Sequence, residues 1–263
     1  MEKKFLSSLS RLVGGGRSAA AQPVATVEGV DNLQTELPQK TAYLSAMRIF
    51  RDLSPNDMKM IVDSTVMTTA TKGKMIYMPG ETGEVLFLLK KGSVRLYRLS
   101  SEGRKLIVQT VGPMTFFGEM AVVGQNMQDL FAEAAEECLI CVMSRPDVER
   151  LILSKPQVGL RILEEIGQRM HEVQERLGDT AFKGIPARVA SLLLRLSNEG
   201  AQPIKGITHQ DLADTIGVYR ETVTNALDSL QDQRIIQVKR KEVVILDAQK
   251  LQGVAEQEML RRR

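Results

Sequence analysis

The sequence predicts an α+β chain in three parts: an N-terminal β-roll of the jelly-roll kind, one long helix, and a C-terminal helix-turn-helix followed by a β wing. Three observations carry this expectation. From Met67 to Met143, short apolar runs such as VLFLLKKGSVRLYRLSSEGRK and LIVQTVGPMTFFGEM alternate with glycine-bearing turns about every eight to twelve residues, the texture of an all-β roll. Between Lys155 and Phe182, Leu163, Ile166, Met170, Val173 and Leu177 recur at spacings of 3, 4, 3 and 4. So narrow a stripe fits a coiled-coil seam. Finally, Ile207–Leu230 reads ITHQDLADTIGVYRETVTNALDSL, two short helical patterns broken at Gly217.

The 263 residues suggest one large or two ordinary domains. The parts fall at residues 1–40 for a flexible arm, 41–154 for the roll, 155–183 for the long helix and 184–263 for the helix-turn-helix domain. The arm is rich in Gly, Ala, Ser, Gln and Thr, a composition that does not offset the entropy of ordering. Phe5, Leu9, Leu12 and Val13 could line one helical face, so the arm reads as a plain tail or as a docking segment. Its start, MEKKFLSSLSRLVGGG, has too interrupted an apolar run for a signal peptide. No run of about 18 apolar residues predicts a membrane span. Two cysteines and no secretory segment predict a cytoplasmic, reducing setting. A net charge of +3 does not mark a nucleic-acid binder, so any basic surface must be local.

At the first helix, Phe50 and Leu53 precede SPNDMKMIVDST, where Ser54 suits an N-cap and Pro55 the first helical position. Ser101-Glu102-Gly103 suits a hairpin turn. Cys138 and Cys141 form a CxxC, but in a strand residues three apart point to opposite faces. They therefore read as core thiols, not as a metal site or disulfide. An iron–sulfur sensor needs about four cysteines, and a haem sensor an axial ligand that only His171 or the cysteines could supply. His171 reads as a solvated residue beside the seam. No metal and no cofactor is predicted. No nucleophile–base pair, phosphate loop or metal cluster argues for an enzyme.

After the long helix, IPARVASLLLRLSNEG is amphipathic, and RIIQVKRKEVVILD gives two short β runs around Arg240-Lys241, a two-stranded wing. In the helix-turn-helix, Thr208 caps the first helix with Asp211 three residues on. Leu212, Ala213 and Ile216 face inward, as do Val223, Ala226, Leu227 and Leu230 of the second helix. Arg220, Glu221, Thr224 and Asn225 then face outward, where a recognition helix meets base edges. Arginine suits guanine, glutamate the cytosine amino group, asparagine adenine. Lys239, Arg240 and Lys241 of the wing suit phosphates, and Thr208 and His209 at the first helix N-terminus are further candidate DNA contacts.

In GETGEVLFLLKKGSVRLYR, FFGEMAV, the helix into GDTAF and QDLADTIGVYRETVTNALDSLQDQRII, the chain resembles the Crp/Fnr family of bacterial transcription regulators over roughly residues 42–250, most specifically in RETV with the preceding GVY. The resemblance implies a cyclic-nucleotide-binding-like roll, a parallel homodimer through Leu163, Ile166, Met170, Val173 and Leu177, and a palindromic double-stranded DNA site. The two recognition helices would enter major grooves about 34 Å apart. It also implies contact with RNA polymerase; activator or repressor depends on where the site lies. Arg220 would read guanine and Glu221 cytosine. Members similar to the cAMP receptor carry a further arginine where Asn225 stands, so reading at that base pair is expected to be altered. Tyr219 replaces a small capping residue and could bond a phosphate. The alternative is a roll that regulates a protein partner, a class that lacks the RETV helix.

In members that bind cAMP, a Gly-Glu pair and a later Arg-Ser or Arg-Thr pair hold the cyclic nucleotide. Gly118-Glu119 matches the first, but Gln128-Asp129 stands at the second, replacing a cation with an anion. A charge-assisted bond worth roughly 1.5–3 kcal/mol is missing as a result. Val173-Gln174 stands where a Thr-Ser pair contacts adenine. cAMP is therefore not the expected effector. What remains is an unknown small ligand, a protein partner or none, with Glu119 read equally as a turn residue.

Overall fold

The computed structural model describes residues 40–79, 85–118 and 130–257. The expectations for the arm up to residue 39, and for Glu119, Gln128 and Asp129, lie outside the described residues. The chain divides into two compact units: residues up to Leu96 with Gln109–Glu165, and Tyr97–Val108 with Ile166 onward.

The first unit is built on antiparallel strands. Residues 40–45 are helical, a 3-10 turn follows at Arg48–Phe50, and α1 runs Pro55–Asp63. Ser54 caps α1 in a full capping box with Asp57, and Pro55 sits in the first turn as the sequence predicts. Lys155 reaches Asp57 at 2.9 Å. The bonds from Lys155 and Ser54 hold the Asp57 carboxyl below the usual carboxylate range. Strands β1 (Thr65–Ala70), β2 (Met75–Tyr77), β3 (Val85–Lys91), β4 (Val94–Leu99), β5 (Lys105–Val111), β6 (Thr115–Phe117), β7 (Phe131–Ala134) and β8 (Cys138–Ser144) follow. They form two four-stranded sheets, ordered β1-β8-β3-β6 and β2-β7-β4-β5, with the end of β4 from Tyr97 and the start of β5 up to Val108 counted in the second unit.

Strand alternation sorts the core into two layers. On β3, Val85, Phe87 and Leu89 join Ile76, Val94, Leu96, Val111 and Phe117 inside the roll. Leu86 and Leu88 point the other way, onto Leu44, Phe50, Ile61, Val148 and Val158. That explains why VLFLL is one unbroken apolar run: both faces of the strand are covered. Phe87 stacks on Phe117 with centroids 4.8 Å apart. Cys138 belongs to the inner layer and Cys141 to the outer. Both are free and buried, as the period-two argument predicts, and burial pushes the Cys138 thiol up.

Ser144 caps α2 (Arg145–Ser154), and α3 runs Pro156–Phe182, with the division between units falling inside it. Arg161 of α3 bonds the Arg51 carbonyl and Asp52, fastening the helix start to the first unit.

The second unit packs α4 (Ile185–Leu196), α5 (His209–Ile216), α6 (Arg220–Asp232) and α7 (Ala248–Ala255) around one core. Val189, Leu193, Leu212, Val223, Leu227 and Leu251 are its large fully buried members. Each such side chain contributes about 1.5–3 kcal/mol of burial. The sequence predicts a two-stranded wing; the structure has three strands, with β9 (Ile204–Lys205) joining β11 (Glu242–Ile245) beside β10 (Ile236–Lys239). Two residues are too few to show a strand period, so β9 left no pattern to read.

Candidate nucleic-acid interface

Thr208 caps α5 in the expected capping box, and its hydroxyl also bonds the Asp211 carboxylate at 2.6 Å. Its proton is therefore engaged in holding the helix end. Gly217 takes φ 71° to end α5, a left-handed turn that favours glycine. A Cβ there would meet Leu106 at 3.0 Å. This turn sets the angle at which α6 leaves.

On α6, Val223, Ala226, Leu227 and Leu230 are buried, and Arg220, Glu221 and Asn225 are exposed, as the sequence predicts. Thr224 is half-buried. Its hydroxyl donates to the Arg220 carbonyl at 3.1 Å and lies 2.9 Å from Nδ1 of His209. This bond between α5 and α6 was not legible in the sequence, because the two residues lie fifteen apart on different helices.

Tyr219 is the N-cap of α6 but makes no side-chain capping bond. Its hydroxyl donates to Glu102 at 3.4 Å, and Arg104 lies 5.1 Å from its ring centroid. The predicted turn at Ser101-Glu102-Gly103, between β4 and β5, thus engages Tyr219, a contact that sequence reasoning missed.

The wing is tied to α6 by the Val238 amide, which donates to Gln231 at 2.8 Å. Lys241 adopts φ 56° in its two-residue turn, a conformation unusual for a residue that carries a Cβ. His209, Arg220, Lys239, Arg240 and Lys241 line a cleft of about 470 Å³, with Glu242 as its acidic member. Four cations and one carboxylate therefore meet at this cleft, in a chain whose net charge is only +3.

Leu163, Met170, Val173 and Leu177 of α3 are 65%, 60%, 49% and 67% exposed, so this apolar stripe is uncovered in the single chain. Ile166 is half-buried, and Leu160 extends the stripe by one step. His171 is exposed and 3.5 Å from Glu175. Of the effector-pocket candidates, Gly118 follows β6 with φ 82° in the first unit. Val173 and Gln174 are exposed on α3 in the second. Among the described residues, no group of His, Cys, Asp and Glu could hold a metal ion, and no helix is long and apolar enough to cross a membrane.

Comparison with known proteins agrees with this architecture. Residues 67–155 match the cyclic nucleotide-binding domain family, and residues 187–254 match the Crp-like helix-turn-helix domain. The chain is 28% identical over 207 residues to the cyclic AMP receptor protein of Thermus thermophilus, covering 79% of this chain and 96% of that protein. It is 27% identical to the global nitrogen regulator of a Nostoc species, covering 68% of this chain and 85% of that one. Among solved structures, a CRP/FNR family transcriptional regulator of Thermus thermophilus aligns with TM-score 0.62 at 27% identity, over 74% of this chain and all of that one. With a β-roll, a long helix, an exposed Arg220-Glu221 pair beside a basic wing, and matches to both domain families, the chain belongs to the Crp/Fnr family of transcription regulators.

Proposed function

We propose that the protein acts as a homodimer on palindromic promoter sites without requiring cAMP. The observation that carries the DNA-reading part is the α6 face. Arg220, Glu221 and Asn225 stand exposed over a buried apolar stripe, with Lys239, Arg240 and Lys241 alongside. Arg220 and Glu221 would read a guanine and a cytosine, and Asn225 an adenine-bearing pair. Thr224, held by His209, would lie between them as a shaped contact. His209 and the wing cations would take phosphates, and Thr208 would fix the helix end that faces them. The uncovered α3 stripe supports pairing with a second copy, which would set the two α6 helices one helical turn apart.

Independence from cAMP rests on the chain itself. Gln128-Asp129 and Val173-Gln174 stand where the resemblance places the phosphate-binding and adenine-binding pairs. We further infer that residues 41–154 sense and 184–263 read, with 155–183 joining the two copies. RNA polymerase is the further partner that the resemblance suggests. The free, buried thiols suit a reducing cytoplasm.

The wing offers a direct test. Affinity for a duplex is measured by fluorescence anisotropy across a series of salt concentrations. Alanine at Lys239, Arg240 and Lys241 together is expected to make the log–log salt slope shallower by about 0.9 for each phosphate no longer neutralised. An unchanged slope would remove the wing from the interface.

A further inference from the structure

A second cavity, of about 430 Å³, lies wholly within the second unit. Leu106 and Ile107 of β5, Val173 and Leu177 of α3, and Ile216 at the end of α5 give it an apolar wall. Three arginines, Arg176, Arg188 and Arg195, also line it; Arg195 is paired with Asp179. Arg176 donates to the Val108 carbonyl at 2.7 Å, and Arg188 donates to the Ile216 carbonyl. Neither has an acid within ion-pair distance among the described residues. Asp179, the acid on the cavity wall, is already held by Lys183 at 2.8 Å and Arg195 at 3.3 Å.

Neither guanidinium is ion-paired in this partly buried wall, although Glu172 acts on Arg176 and Asp179 on Arg188 from beyond ion-pair distance. Burial pushes both guanidinium groups down from their ordinary range, and Arg195 adds repulsion at Arg176. A guanidinium does not shed its proton in a protein, so the burial penalty on both charges persists. An anion relieves it; an apolar wall of this size also asks for an apolar body.

We propose that this cavity binds a small amphipathic anion, its acid head on Arg176 and Arg188 and its apolar body against Leu106, Val173 and Ile216. The placement would make such a ligand an effector. It would touch α3, which we assign to pairing, and Ile216 and Gly217, which set the departure of α6. That consequence rests on the DNA-reading proposal above; the binding itself does not.

The probe is decanoate, kept below its micellar concentration, with decanol as the uncharged control, titrated calorimetrically into the full chain. Decanoate is expected to bind saturably, one per chain and at least about ten-fold more tightly than decanol. Arg176→Gln and Arg188→Gln should each weaken it by roughly ten-fold or more, while Arg188→Lys, which keeps the charge, should retain part of the affinity. In the wild-type protein, amide NMR shifts should cluster at Val108, Arg176, Ile216 and Gly217, which locates the site even where a variant folds poorly. Decanoate binding no tighter than decanol, or shifts confined to other regions, would overturn the site. Saturating decanoate should change affinity for a duplex several-fold, and no change would overturn the effector role. Intact decanoate binding with no duplex binding in any condition would count against DNA reading and leave the site standing.

Discussion

Met170→Glu is expected to leave the protein monomeric and to lower affinity for a palindromic duplex by about a hundred-fold or more. Met170 is the middle of the α3 stripe and is 60% exposed in the single chain, so the change should not disturb the fold of one copy. In a parallel pair, equivalent residues of a seam meet across the axis. Two glutamates would then face each other in an apolar contact with no cation to pair them. An uncompensated buried charge costs about 3–5 kcal/mol, enough by itself for a hundred-fold loss. A monomer also forfeits the second half-site. Sedimentation equilibrium and anisotropy with a labelled duplex give both numbers. Met170 does not line the arginine-bearing cavity, so this result is independent of the proposed ligand. A variant that stays dimeric with full DNA affinity would take α3 out of the pairing surface.

Arg220→Ala should cost about 1–3 kcal/mol at one base pair and flatten the preference there. Arg220 opens α6, is exposed, and has no side-chain hydrogen bond or ion pair among the described residues. Its removal therefore leaves the fold intact and strips only the reading face. The discriminating readout is a panel of duplexes with each base at each half-site position. Loss confined to one position marks Arg220 as a base contact. An equal loss on every duplex would mark a phosphate contact and contradict the assignment of Arg220 to a guanine.

The parts of this fold that were legible in sequence are those with strong local rules. The Thr208–Asp211 capping box, the left-handed Gly217 and the buried stripe Val223, Ala226, Leu227 and Leu230 are each set by spacing within one or two helical turns. The opposite-facing cysteines followed from the pleat alone. What could not be read depended on residues far apart in the chain. The His209–Thr224 bond joins two helices, and Glu102 and Arg104 meet Tyr219 across more than a hundred residues. The cavity that gathers Leu106, Arg176, Arg188 and Ile216 is likewise a product of packing, with no motif to announce it. Strand β9 escaped because a two-residue strand has no period. The wing cations were legible as a run, but their convergence with His209 and Arg220 on one cleft was not.

The most direct test of the central claim is selection of binding sites from random duplex DNA by the purified full chain at one fixed salt concentration. It is run with no ligand and again with cAMP. The account predicts enrichment without ligand of an inverted repeat whose half-sites are centred about one helical turn, 10–10.5 base pairs, apart. It predicts a guanine opposite Arg220, a changed preference at the pair that Asn225 faces, and no effect of cAMP. Enrichment only with cAMP, or of sites without inverted symmetry, would contradict it.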